Sequence, residues 1–142
     1  MSAYDTDNVF ARILRGELPS HTVYEDEATV AIMDIMPRAD GHVLVLPKIA
    51  CRNVLDAPPE ALQAVALTTQ RLARAVKAAF AADGVTIQQF NEAAGGQVVF
   101  HLHVHVIPRH DGVALRPHTG AMADADVLKA NAEKIRAALT AL

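Results

Sequence analysis

Tryptophan is absent from this chain, cysteine occurs once, at position 51, and the aromatics amount to four Phe and two Tyr. A lone cysteine cannot form an internal disulfide, and no CxxC pair or HExxH helix supplies a zinc signature. Long apolar runs are lacking too. None approaches the ~20 residues that span a bilayer, and the start Met1-Ser2-Ala3-Tyr4-Asp5 has neither the basic nor the apolar region of a secretory signal. These absences predict a cytoplasmic protein with no membrane partner. Nor does one charge dominate: a net charge of −3 with mixed signs argues against long nucleic acid as a partner. What is present, 51% hydrophobic residues over 142, suffices for one core and predicts a single domain, 1–142.

The elements follow from periodicity. Asp7 and Asn8 precede Val9, Phe10, Ile13 and Leu14, a short helical stripe closed by Gly16 and Pro19. Residues 22–25 and 29–35 are β-rich runs around Asp26-Glu27, which predicts a hairpin, and residues 42–46 form a further strand after the turn 37–41. The longest helix is predicted over 59–82, with Leu62, Val65, Leu72, Val76 and Phe80 at helical intervals, Asp56 and Glu60 placing negative charge at its start, and Asp83-Gly84 ending it. Residues 85–90 read as a strand, 91–96 as a loop and 97–107 as another strand. An irregular stretch with Pro117, His118 and Gly120 leads to a last amphipathic helix, about 124–141. This order predicts an α+β fold: an antiparallel sheet of about five strands with one long and two shorter helices.

The chemistry concentrates in Phe100-His101-Leu102-His103-Val104-His105-Val106-Ile107. In an extended strand alternate residues share a face, so the three imidazoles face one way while Leu102, Val104 and Val106 face the core. Imidazole titrates near neutrality, which suits nucleophilic attack, proton transfer and anion contact. Zinc is the competing reading. The outer two histidines are roughly 13 Å apart at about 3.3 Å per residue, too far for one ion, but two of them with Cys51, His42 or a carboxylate can form a site. The preceding loop, Asn91-Glu92-Ala93-Ala94-Gly95-Gly96-Gln97, has the small residues that let backbone N–H groups approach a phosphate, and Asn91 and Gln97 add amide donors.

The run His101 to Ile107 matches the signature His-Φ-His-Φ-His-Φ-Φ, with Φ hydrophobic, and the chain resembles the histidine triad family. The resemblance extends through Ala94-Gly95-Gly96-Gln97, Met33-Asp34-Ile35-Met36-Pro37, His42-Val43-Leu44-Val45-Leu46-Pro47-Lys48 and Val9-Phe10-Ala11-Arg12-Ile13-Leu14, covering about 9–109. It implies transfer of a nucleotidyl group from a purine nucleoside 5′-phosphoramidate or a dinucleoside polyphosphate to a histidine, followed by hydrolysis, with no cofactor and no metal. By position His103 is the nucleophile, His105 contacts phosphate and helps protonate the leaving group, and His42 with His101 is the supporting pair. Asp34 accepts from the ribose hydroxyls; Phe10, Ile13, Ile35 and Leu44 enclose the base; Asn91, Gly96 and Gln97 cradle the phosphate. The family also implies a homodimer.

Three departures stand out. Val98 occupies a position where many relatives carry a hydroxyl, Pro47-Lys48 is not followed by a histidine, and the C-terminal Trp of the phosphoramidase branch is missing, so the last helix is more like that of longer bacterial members. Cys51 reads as a small buried residue, since no motif lowers its pKa. Two other readings remain open: a nucleotide-binding, regulatory dimer without turnover, and a zinc-dependent hydrolase.

Overall fold

The structure, a computed structural model, describes residues 3–117 and 120–142; His118 lies outside the described residues. The elements run α1 (Val9–Leu14), β1 (Thr22–Glu25), β2 (Thr29–Met33), β3 (Val43–Pro47), α2 (Pro59–Ala79), β4 (Gly84–Gln88), a 3-10 turn (Ala93–Gly95), β5 (Val104–Arg109) and α3 (Ala125–Ala141). The strands form one five-stranded sheet in the order β1-β2-β3-β5-β4, every pairing antiparallel. The expected α+β class is found.

Local chemistry sets the boundaries. The Asn8 side chain accepts the Ala11 amide and starts α1, and Gly16 at φ 77 ends it. Asp26 Oδ1 accepts the amides of Ala28 and Thr29, tightening the β1–β2 hairpin. Helix α2 stops at Ala79, short of the expected 82. Ala81 turns to φ 47 and the Ala82 amide reaches back to the Lys77 carbonyl, a Schellman-type closure made by alanine where glycine is usual. Asp56 does not serve the start of α2; its carboxylate accepts the Arg52 and Asn53 amides.

The sheet is covered on both faces, which explains why β2 and β3 are buried at every position and show no alternation. Val65, Leu72 and Val76 of α2 and Leu128 and Ile135 of α3 pack on one face against Ala31, Met33, Val43, Val45 and Val106. On the other, Phe10 of α1 joins Val30, Ile32, Leu44 and Leu46. Each fully buried aliphatic side chain contributes about 1.5–3 kcal/mol. No helix among the described residues is long and apolar enough to cross a membrane.

The histidine strand differs from expectation. The alternation predicts strand over 97–107, but β5 begins at Val104, so only His105 lies in regular strand. The cause is the partner strand. Beyond Val45, which pairs with Val104, β3 reaches Pro47, which has no N–H, and the Pro47 carbonyl is taken by the His101 ring at 2.9 Å. The Leu102 amide turns instead to the Cys51 carbonyl.

Candidate active site

In the β3–β5 ladder His105 stands opposite Leu44, and such cross-strand partners share a face. That face is the one α1 covers, and there a cavity of about 380 Å³ opens, a volume suited to a small ligand. Phe10, Ile13, Ile32 and Leu44 line it together with Asp34, Ile35, Gly96, Val98, His103 and His105. Its chemistry is apolar wall with imidazoles and one carboxylate. His103 and His105 lie 5.1 Å apart between ring centroids; Phe10 meets His103 edge-on at 4.8 Å, and Phe90 meets His105 at 5.6 Å.

Backbone acceptors and donors fix the tautomers of the rings. His103 Nδ1 lies 2.7 Å from the His101 carbonyl, which can only accept, so Nδ1 carries the proton and Nε2 keeps its lone pair. Burial pushes the His103 pKa down to about 4, so the ring is neutral near pH 7. On the other side the Arg38 amide donates to His42 Nδ1 at 3.1 Å; His42 Nε2–H then donates to His105 Nδ1 at 2.9 Å, which places the His105 proton on Nε2. The site thus holds one ring with an available lone pair beside another with a proton to give.

Sequence reasoning expected His42 and His101 to act as a pair. Each is hydrogen-bonded to a different one of the two cavity histidines. His42 is fully buried and supports His105, while His101, also fully buried and absent from the cavity wall, supports His103 through its carbonyl. His42 itself precedes β3 instead of starting it, and Asp34 likewise falls just past β2, its amide donating to the His42 carbonyl.

Asp34 Oδ1 accepts the Met36 amide at 2.9 Å, and Oδ2 lies 3.5 Å from His42 Nε2. Asp34, His42 and His105 each place one potential ligand atom within 4.8 Å of the others, making them the candidate metal group among the described residues. The two ring nitrogens at 2.9 Å have hydrogen-bond spacing; zinc held by both at ~2.0 Å in tetrahedral geometry sets them ~3.3 Å apart. At their present spacing the two nitrogens share a hydrogen bond.

The loop 91–97 is built differently from the expected cradle. Gln97 is buried; its Nε2 donates to the carbonyls of Arg52 and Val99, and its Oε1 accepts from Asn53 and the Glu92 amide. Both Gln97 amide hydrogens hold the loop, not a ligand. Asn91 exchanges hydrogen bonds with Gln89 and accepts the Val54 amide. Gly96, at φ 98, does reach the cavity wall, and a Cβ there would come within 3.3 Å of Phe90. Glu92 sits at φ 65, a costly conformation held by Arg52, Asn53 and Gln97.

Sequence reasoning did not find Asn53, Arg52 or Tyr4, whose hydroxyl lies 2.6 Å from His101 Nδ1. An isolated Asn or Tyr in irregular chain carries no local signal. Cys51 is 2% exposed and its thiol is pushed up to about 11 by burial, in keeping with a packing role.

The HIT domain family matches residues 15–112. A HIT-like protein involved in cell-cycle regulation from Bartonella henselae superposes with a TM-score of 0.90 at 52% identity, over 96% of this chain and 99% of that one. A hypothetical histidine triad nucleotide-binding protein from Sulfolobus tokodaii superposes with a TM-score of 0.85 at 32% identity, over 94% and 92% of the two chains. An adenylylsulfatase of Arabidopsis thaliana is 36% identical over 110 residues, 78% of this chain and 56% of its own. On the extent of the matched segment, the five-stranded antiparallel sheet and the histidines at one cavity, the chain belongs to the HIT domain family.

Proposed function

We propose that the protein hydrolyses nucleoside 5′-phosphate conjugates, phosphoramidates or dinucleoside polyphosphates, at the α-phosphate through a nucleotidyl-histidine intermediate. The observation that carries this reading is the tautomer of His103: Nδ1–H is engaged by the His101 carbonyl, leaving an Nε2 lone pair on a ring that lines the cavity. Nε2 attacks phosphorus in line while His105 Nε2–H hydrogen-bonds the departing atom; the bond to the leaving group breaks and the leaving group takes its proton from solvent. Water then attacks phosphorus, the bond to His103 Nε2 breaks and restores the neutral ring, the proton of that water passes to solvent, and the nucleoside monophosphate leaves. Asp34 faces the ribose diol, and Phe10, Ile13, Ile35 and Leu44 enclose a purine base. Gly96 brings backbone to the phosphate, and Asn91 and Gln97 act as struts of that loop. The names of two relatives, an adenylylsulfatase and a nucleotide-binding protein, support the substrate class.

The test compares adenosine 5′-phosphoramidate, an AMP-lysine amide and diadenosine tetraphosphate on purified protein. AMP release is expected from one or more, with transient addition of one nucleotidyl mass to the protein, and at an unchanged rate in chelator. Tight binding without release favours the regulatory reading; loss of activity in chelator favours a zinc site at Asp34, His42 and His105.

Acid pH gives a second expectation. The attacking form of His103 is neutral, and its pKa is lowered to about 4, so protonation removes the nucleophile only in strongly acid solution. The His103 contribution to kcat/KM should stay level from about pH 8 down to about 5 and then fall tenfold per unit below about 4. A nucleophile limb near the ordinary histidine value, about 6.5, contradicts the assignment.

We also read the protein as a cytoplasmic homodimer. Strand β4 closes the sheet on one side, and Ile87 on it and Leu67 on α2 are 52% and 69% exposed, as a surface that meets a second copy would be.

A further inference from the structure

We infer that Tyr4 is a positioning residue for the reaction, acting through His101. The inference rests on the proposed nucleophilic role of His103.

His101 has both ring nitrogens engaged and no exposure to solvent. Its Nε2 lies 2.9 Å from the Pro47 carbonyl, which can only accept, so Nε2 carries the proton. Burial lowers the His101 pKa, and the neutral ring then has a bare Nδ1. The Tyr4 hydroxyl, 2.6 Å away, is therefore the donor, and burial raises its own pKa so that it stays protonated. The two rings also meet nearly edge to face, with centroids 5.7 Å apart.

The consequence reaches the cavity by a short path. The carbonyl of this same His101 accepts the Nδ1–H of His103 at 2.7 Å and so sets both the tautomer and the angle of the attacking ring. Tyr4 and Pro47 hold the His101 ring at its two nitrogens, and through it the carbonyl. Without the hydroxyl a buried acceptor is left unsatisfied, and the ring can relieve this by rotating off Pro47 or changing tautomer. A displacement of under an ångström at a nucleophile lowers its rate steeply. Tyr4 precedes residues 15–112, so this support comes from outside the segment matched by the family.

The test is Tyr4→Phe, which keeps the ring and removes only the hydroxyl. The expected result is a fall in kcat of about tenfold on adenosine phosphoramidate with AMP affinity within twofold of wild type. In ¹⁵N spectra the His101 Nδ1 resonance should show a hydrogen-bonded acceptor in the wild type and move in the variant. A kcat within twofold of wild type, an equal loss of kcat and AMP affinity, or an unmoved His101 resonance overturns the proposal. Should the wild type turn over no substrate, the hydrolase reading fails, and the resonance alone then decides whether Tyr4 holds His101.

Discussion

Replacing His103 with alanine should lower turnover of an adenosine phosphoramidate by a factor on the order of 10⁴ or more, as loss of the nucleophile does in other covalent enzymes. AMP affinity should change only a few-fold. The reason is the division of labour in the cavity: Phe10, Ile13, Ile32 and Leu44 form apolar wall, and Asp34 supplies the carboxylate, none of them needing the His103 ring to keep its place. Phe10 and His105 each lose a ring neighbour. Nucleotide affinity and single-turnover rates measured on the same preparation check both halves. A variant that keeps more than a tenth of wild-type turnover removes His103 from the mechanism, and a variant that no longer binds AMP shows that the ring is needed to build the pocket.

The second large effect is on stability. Gly41 lies at φ 91, and a Cβ added there would stand 2.4 Å from Cε2 and 2.7 Å from Cδ2 of Phe80. Phe80 follows the last turn of α2 and is packed against the core, with the Lys134 ammonium 5.6 Å from its ring centroid. Neither the backbone nor the ring can yield cheaply. Gly41→Ala combines a left-handed alanine with displacement of an aromatic ring, together about 3 kcal/mol, equivalent to a fall in Tm of roughly 10 °C for a chain of this size. Because His42 follows directly, activity below the transition should fall as well. Calorimetry showing a Tm within 2 °C of wild type would refute this account of the turn.

The parts of the molecule that sequence makes visible are those whose cause is local. Asn8 before α1, the hairpin at Asp26 and the apolar stripe of α2 are short-range patterns, and each appears within a few residues of its expected place. Of the three alternating histidines only His103 and His105 line the cavity; the chain bends at His101, and regular pairing starts only at Val104. What fails is what depends on partners distant along the chain. The end of β5 pairing is decided by Pro47, and the inward turn of Gln97 by Asn53 and Arg52. Tyr4 and His101 are separated by 97 positions, and no window along the sequence contains both. Amide side chains are especially ambiguous. The same donors and acceptors that suit a phosphate also suit a strained backbone, and at Glu92 the backbone takes them.

The two margins of the sheet are unlike. Beside β1, the Arg136 guanidinium of α3 donates through Nε and Nη2 to the Thr22 carbonyl and occupies an acceptor that an incoming strand would use. Beside β4 no further strand is hydrogen-bonded among the described residues. An added strand would therefore meet an acceptor already in use at β1, whereas the outer edge of β4 carries no such side-chain guard among the described residues.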